Sequence, residues 1–224
     1  MSIIHKGYVD TPEGQVHYRQ LKNVDGTPLV LFHQTASSGM MFEQVMTLLA
    51  DDFRIIALDT PGFGASFSPP DLFTVQYLSD SLHTALTSLG VESCYTFGHH
   101  TGAAIAVQMA YDHPRFIKRA VLSGPPLLSV DQVNGLRASL QDAAQGTYQA
   151  VFDQPFGEQL AVLEIPILVM AGENDTLRAS LEPAHKLLRN GEMRVIVGEG
   201  AYICDTNPQA VAEILKSFLR SETC

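Results

Sequence analysis

Basic residues are scarce in this chain: 14 lysines and arginines stand against 24 aspartates and glutamates, a formal net charge of −10. Binding to nucleic acid or to an anionic membrane surface rests on the opposite balance, and no basic run supplies it locally. Long apolar runs are missing too. The longest, near Ile165 to Ala171, is broken by Pro166 and falls far short of the ~20 residues that span a bilayer. Met1 to Gly7 contains no apolar stretch of signal-peptide length. Cysteine is sparse. Cys94, Cys204 and Cys224 form neither a spaced metal pattern nor an even disulfide set, so reduced thiols in a cytoplasmic protein are expected. What the chain has in quantity is apolar side chains, 46% of 224 residues with only 17% charged. That excludes disorder and is enough to bury the core of one domain.

Short apolar runs alternate with longer segments of helical period, which predicts an α/β protein with a mostly parallel sheet. Gln15 to Leu21 alternates like an antiparallel strand. Leu29 to Phe32, Phe53 to Leu58, Cys94 to Phe97, Ile117 to Leu122, Ile165 to Met170 and Met193 to Val197 read as further strands. Continuously apolar runs suit strands covered on both faces. Helices are expected over Met40 to Ala50, Tyr77 to Leu89 (stopped by Gly90), Ala103 to Tyr111, Leu177 to Arg189 (ended by Asn190-Gly191) and Ala210 to Leu219. Residues 125–162 break the rhythm. They contain weakly helical pieces around Val130 to Ala144, with Val133, Leu136, Leu140 and Ala143 on one face. An insertion of this kind either covers a binding site or packs on the body.

Four motifs follow one another at the ends of predicted strands: Phe32-His33-Gln34-Thr35, Asp59-Thr60-Pro61-Gly62-Phe63-Gly64-Ala65-Ser66, Gly98-His99-His100-Thr101-Gly102 and Gly172-Glu173-Asn174-Asp175. The third has the Gly-x-nucleophile-x-Gly form of a strand-to-helix elbow. In this order, with a closing helix after Gly200, the chain resembles the α/β-hydrolase superfamily from about Gln15 onward. The resemblance implies an α/β-hydrolase fold: one domain over 1–224, a mostly parallel central sheet flanked by helices, and 125–162 as a short lid-like insertion. It implies that the backbone N–H groups of Thr35 and Thr101 form an oxyanion hole, and that Asp175 is the triad acid. Such donors are worth a few kcal/mol each against a developing oxyanion. Asp175 also reads as a turn aspartate or a cap for the helix from Leu177.

Two positions depart from the family pattern. His100 stands where the serine nucleophile belongs. Ala201, in Gly198-Glu199-Gly200-Ala201-Tyr202, stands where the triad histidine belongs, and no histidine follows His185. An ordinary Ser-His-Asp triad is therefore excluded, since a serine needs an adjacent base. The small residue has become large at 100 and the large one small at 201. An imidazole from position 100 could fill the vacated space and reach Asp175. Free histidine titrates near pH ~6.5, so a neutral imidazole would be available as general base; direct attack through an acyl-imidazole and an inert pocket filler are the alternatives.

The remaining polar residues read more plainly. His99 is expected to be a satisfied buried histidine. His33, Gln34 and Tyr202 stand where they could border the pocket, with His33 fixing its loop by hydrogen bonds. A zinc site from His33, His99 and His100 is conceivable, but nothing in the spacing requires it; no metal and no cofactor are expected. Ser37, Ser38 and Ser66 suit turn hydrogen bonding, Cys204 a small buried hydrophobe, and Asp205 a helix start. The expected function is hydrolysis of a small apolar carbonyl compound (ester, lactone, amide or activated C–C bond) by His100 and Asp175. Proton-transfer chemistry of a lyase, decarboxylase or isomerase, or non-catalytic binding of a small ligand, remain alternatives. The expected partner is a small-molecule substrate, with neither nucleic acid nor membrane. The short insertion leaves the pocket either open or covered by a second subunit, so a homo-oligomer is also an expectation.

Overall fold

In a computed structural model the fold is described for residues 3–22, 24–139 and 145–221. The strands are β1 (His5–Thr11), β2 (Gly14–Leu21), β3 (Leu29–Phe32), β4 (Ile55–Leu58), β5 (Cys94–His99), β6 (Ile117–Ser123), β7 (Ile167–Gly172) and β8 (Gly191–Ile196). They form one sheet in the order β1-β2-β4-β3-β5-β6-β7-β8. β1 and β2 pair antiparallel, as do β2 and β4; every pairing from β4 to β8 is parallel. The central strands β3, β4 and β7 are buried at every residue, which is why they read as unbroken apolar runs.

Helices cover both faces. The helices are α1 (Glu43–Leu48), α2 (Val75–Ser88), α3 (Thr101–Asp112), α4 (Val130–Ser139), α5 (Gln145–Asp153), α6 (Phe156–Val162), α7 (Leu181–Leu187), α8 (Ile203–Thr206) and α9 (Pro208–Leu219). One core joins α2, α3, α5, α6 and α7 to Val30, Phe32, Leu122 and Val169 of the sheet. The other joins α1, α8 and α9 to Leu31, Phe97, Val121 and Met170. Alternate residues along β3 thus feed opposite cores, as the period of a strand dictates. Among the described residues no helix is long and apolar enough to cross a membrane.

Local chemistry sets the helix ends. The Thr74 side chain accepts from the Tyr77 N–H at the start of α2, and Gly90, at φ 77°, takes the left-handed position just past its end. α9 begins with the Asn207 side chain accepting from the Ala210 N–H and with Pro208 at its first position. Asn207 is therefore the cap; Asp205 lies inside α8.

Some boundaries differ from the sequence expectation. Strand β1 was not expected. It is an edge strand with only Val9 buried, so it carries no apolar alternation. The helix expected over Met40 to Ala50 splits into a 3-10 turn, Gly39–Phe42, and α1. The one expected from Leu177 to Arg189 is a 3-10 turn, Arg178–Ser180, followed by α7. Pro183 has no N–H and is tolerated only in a first turn, so the α-helix starts at Leu181. Gly191 opens β8 instead of ending that helix.

The insertion builds three helices, α4 to α6, and carboxamides fasten it to α3. Gln154 donates to the Ala104 carbonyl at 3.1 Å and to the Gln159 Oε1 at 2.7 Å, and Gln159 donates to the Gln108 Oε1 at 2.7 Å. Leu140 and Ala143, expected on the apolar face of this segment, lie outside the described residues, as does Cys224.

Asp59, at the end of β4, anchors the loops on the same edge of the sheet as the site. Its carboxylate accepts from the Gly39 N–H at 2.8 Å, the Ala65 N–H at 3.0 Å and Arg19 Nη1 at 3.0 Å, and contacts His17 Nδ1 at 2.9 Å. Ser66 Oγ donates to the Asp59 carbonyl and accepts from the His17 N–H. Burial works to raise the Asp59 pKa, but the Ala65 and Gly39 N–H groups, Arg19 and His17 outweigh it and hold it below the usual value. Replacing Asp59 with Ala should cost about 3–5 kcal/mol in urea denaturation, because it leaves the buried Arg19 guanidinium short of a partner.

Candidate active site

The parallel strands deliver their last residues to one edge of the sheet, where ligands of open α/β folds bind. β5 ends at His99, and α3 starts at Thr101. His100 between them has φ 49° and ψ −109°, a backbone conformation that costs a non-glycine residue on the order of 1–3 kcal/mol. The corner is tight. A Cβ at Gly98 would strike the backbone of Gly102, and one at Gly102 would strike the Phe32 carbonyl of β3. Both glycines are thus required by the close approach of α3 to the sheet. The His100 N–H donates to the Ser123 carbonyl at 2.8 Å, which ties the corner to the end of β6.

The corner aims the His100 side chain at Asp175, just beyond β7. His100 Nε2 lies 3.0 Å from Asp175 Oδ2, with the carboxylate fully buried. Asp175 Oδ1 accepts from the Leu177 N–H at 2.8 Å. One carboxylate therefore orders the turn before Arg178 and meets the imidazole. Burial pushes the Asp175 pKa up, but the hydrogen bond and charge of His100 and the Leu177 N–H prevail, and it lies below the usual value. With Nε2–H donated to a carboxylate, Nδ1 is the ring nitrogen left to take a proton.

Gly124, after β6, forms the floor under this ring. Its φ is 58°, and a Cβ there would overlap the imidazole of His100. The second wall is His99, whose ring stacks on that of His100 at a centroid distance of 4.4 Å. His99 Nε2 donates to the Ala201 carbonyl at 2.7 Å. Burial, with His100 beside it, pushes its pKa down to about 3, so it stays neutral. The turn after β8 is thus held at position 201 by a histidine from the elbow itself.

Thr35 and Thr101 are both buried, and their hydroxyls lie 2.5 Å apart. Among the described residues no hydrogen bond engages the N–H of either. A cavity of about 170 Å³ opens beside His100 and Thr101, walled by Leu128, Leu136, Tyr148, Val151, Phe152 and Leu177. At ~30 Å³ per liquid water it holds about six water-sized groups. Larger clefts lie elsewhere. One of about 760 Å³ runs along Thr27, Tyr95 and Lys118, at the opposite ends of the strands from His100.

Three expected pocket residues lie elsewhere. His33 is buried, with Nδ1 donating to the Gln34 carbonyl at 2.7 Å and Nε2 accepting from the Thr60 N–H at 2.9 Å; burial lowers its pKa. Both ring nitrogens are used to join two loops, as expected of a histidine that fixes its loop, and His33 is not among the cavity walls. Gln34 supplies only its carbonyl there, and Ala36, at φ 61°, carries the left-handed turn of that loop. Tyr202 is 64% exposed and is not in the cavity wall. Its phenol acts on that of Tyr148 in the wall, whose pKa is raised by burial first and by Tyr202 second. Cys204 is buried and its thiol pKa is raised by that burial. Among the described residues no three metal-ligating side chains gather. Sequence reading missed Gly124 as the floor and Tyr148 and Phe152 as walls; the i,i+4 aromatic pair on α5 was the available signal.

Comparison with known proteins places the fold. A family model described as alpha/beta hydrolase fold matches residues 27–163. The chain is 24% identical over 156 residues to bifunctional epoxide hydrolase 2 of Rattus norvegicus, covering 68% of this chain and 28% of that protein. It is 30% identical over 111 residues to soluble epoxide hydrolase of Corynebacterium sp. (strain C12), covering 50% and 36%. The chain therefore spans about a third of the length of these relatives. Among solved structures it is similar to E-2-(acetamidomethylene)succinate hydrolase, with a TM-score of 0.87 at 18% identity over 98% of this chain and 100% of that one. It is also similar to a carboxylesterase of Bacillus subtilis, at 0.81 and 20% over 99% and 93%.

Two outcomes check this geometry. Gly124→Ala should displace the His100 ring, cost about 1–3 kcal/mol through overpacking and abolish the Nε2–H signal shifted by Asp175 in imidazole NMR. The lowered Asp175 pKa contributes stability that is complete above the ordinary carboxylate value and is lost as pH falls through the folded one. Asp175→Asn should accordingly flatten the acid limb of stability below about pH 4, measured by denaturant midpoints across pH.

Proposed function

The chain belongs to the α/β-hydrolase-fold family, and from that premise we propose that it hydrolyses small, mainly apolar carbonyl compounds with His100 as general base and Asp175 as the group that orients it. The observation that carries this reading is the His100–Asp175 contact, 3.0 Å long, at the edge of an apolar cavity. This elbow presents imidazole in place of a serine, and the acid that normally serves a separate histidine meets it directly.

The steps follow from the residues at hand. Asp175 accepts Nε2–H and fixes the tautomer, so the lone pair resides on Nδ1. Nδ1 takes a proton from water, and the oxygen attacks the substrate carbonyl carbon. The N–H groups of Thr35 and Thr101 stabilise the oxyanion. As the tetrahedral intermediate collapses, Nδ1 returns the proton to the departing alkoxide or amine. No covalent intermediate is needed. That suits a site whose second imidazole, His99, is neutral and committed to the Ala201 carbonyl. The walls of Leu128, Val151, Phe152 and Leu177 favour a short apolar acyl or alcohol group.

Activated esters with short acyl chains provide the test, measured beside His100→Ala. The variant should lose about 10²–10⁴-fold in kcat/KM, the usual contribution of a positioned base. Equal rates in the two proteins would remove His100 from the chemistry. Turnover of an enolisable ketone without hydrolysis would instead mark the site as a proton-transfer centre.

A further inference from the structure

Strand β8 closes one side of the sheet, and among the described residues no backbone group pairs with its outer edge. Gly191, Glu192, Arg194 and Val195 are exposed, and β8 pairs with β7 from Gly191 to Ile196 without a bulge. An open edge of this kind is a template for another strand unless it is blunted.

Backbone direction restricts what can add. The Asn190 carbonyl accepts from the Ile167 N–H and the Ile196 carbonyl from the Glu173 N–H, each at 2.9 Å. Even-numbered residues of β8 therefore turn their N–H and C=O groups toward β7. By the two-residue period, Gly191, Met193 and Val195 turn theirs outward. The even side chains Glu192 and Arg194 share the face toward α9, since they pair with Leu168 and Met170 of that core. Within the chain Arg194 donates to Glu192 at 2.8 Å, with both side chains about half exposed.

We propose that the β8 edge pairs antiparallel with β8 of a second copy of this chain, about a two-fold axis at Met193, to make one continuous sheet across a homodimer. Under this axis Met193 faces Met193 of the second copy and Gly191 faces Val195, all with outward N–H and C=O groups, so the ladder bonds are made in full once Arg194 Nη1, which donates to the Met193 carbonyl at 3.2 Å within the chain, swings to Glu192 of the second copy. Gly191 has no side chain, which leaves room for Val195 opposite it. Glu192 then falls opposite Arg194 of the second copy, and Arg194 opposite Glu192, in the non-hydrogen-bonded pairs where side chains are closest. The other registers fit worse. An axis at Glu192 or at Arg194 sets like charges against each other, and one at Val195 leaves Gly191 unpaired and puts Arg194 against Ile196. A two-fold interface must be self-complementary, and this short strand is so in both hydrogen bonding and charge. The interface is independent of the chemistry at His100.

Sedimentation velocity on the full chain and three variants is the test, with circular dichroism to monitor folding. The wild type should sediment as two chains. Arg194→Glu and Glu192→Arg should each weaken the dimer at least tenfold, because each sets like charges opposite. The double variant Glu192→Arg/Arg194→Glu should restore it, since the swap re-creates both pairs; a dimer lost in the singles and regained in the double cannot come from misfolding. A monomeric wild type would overturn the proposal, as would a dimer indifferent to the single reversals.

Discussion

The close approach of α3 to the sheet is the constraint on which the site depends. Gly102 rests on the Phe32 carbonyl, and Gly98 rests on Gly102. Neither contact leaves room for a Cβ. The chain has one residue in which to turn from strand to helix, and that residue takes a left-handed backbone at φ 49°. The cost is met by the packing of β5 and α3, whose inner residues are fully buried on both sides of the corner. Once the corner is fixed, the direction of side chain 100 is fixed as well. Asp175, held by the Leu177 N–H, meets it from the end of β7.

The same corner determines what residue 99 does. Its side chain points into the core, where an ionised imidazole would be expensive. His99 avoids that by staying neutral and donating to the Ala201 carbonyl. The loop that carries a catalytic histidine elsewhere in this family is therefore kept in place here by a hydrogen bond from the elbow. Position 201 is thus joined to the elbow by the His99 hydrogen bond, and the His99 ring stacks on that of His100.

Much of this was legible in the chain. The buried strands β3, β4 and β7 are continuous apolar runs, and four motifs at strand ends set the fold and its order. The pairing of His100 with Asp175 could be anticipated because the motifs carry positions in a known frame. What was not legible has physical causes. Strand β1 is polar because it lies at an edge. α7 is short because Pro183 lacks a donor. Gly124 was not singled out, since a glycine does not reveal which ring lies above it. The His33 ring fixing its loop by hydrogen bonds was legible; Tyr202 was placed near the pocket by adjacency in sequence, but its exposure is a fact of three-dimensional direction.

The fastening of the cavity wall has a consequence of its own. α5 and α6 are held to α3 by Gln108, Gln154 and Gln159, whose side-chain amides carry no charge and do not titrate in water. Dissolved ions screen charges but have little purchase on amide-to-amide bonds. The α5–α6 side of the enclosure beside His100 is thus fastened by uncharged groups, while α4 is joined to α5 by the exposed Arg137–Asp153 ion pair at 3.0 Å. Salt screens that ion pair but not the amide bonds, so the α4 wall is the one that answers to dissolved ions.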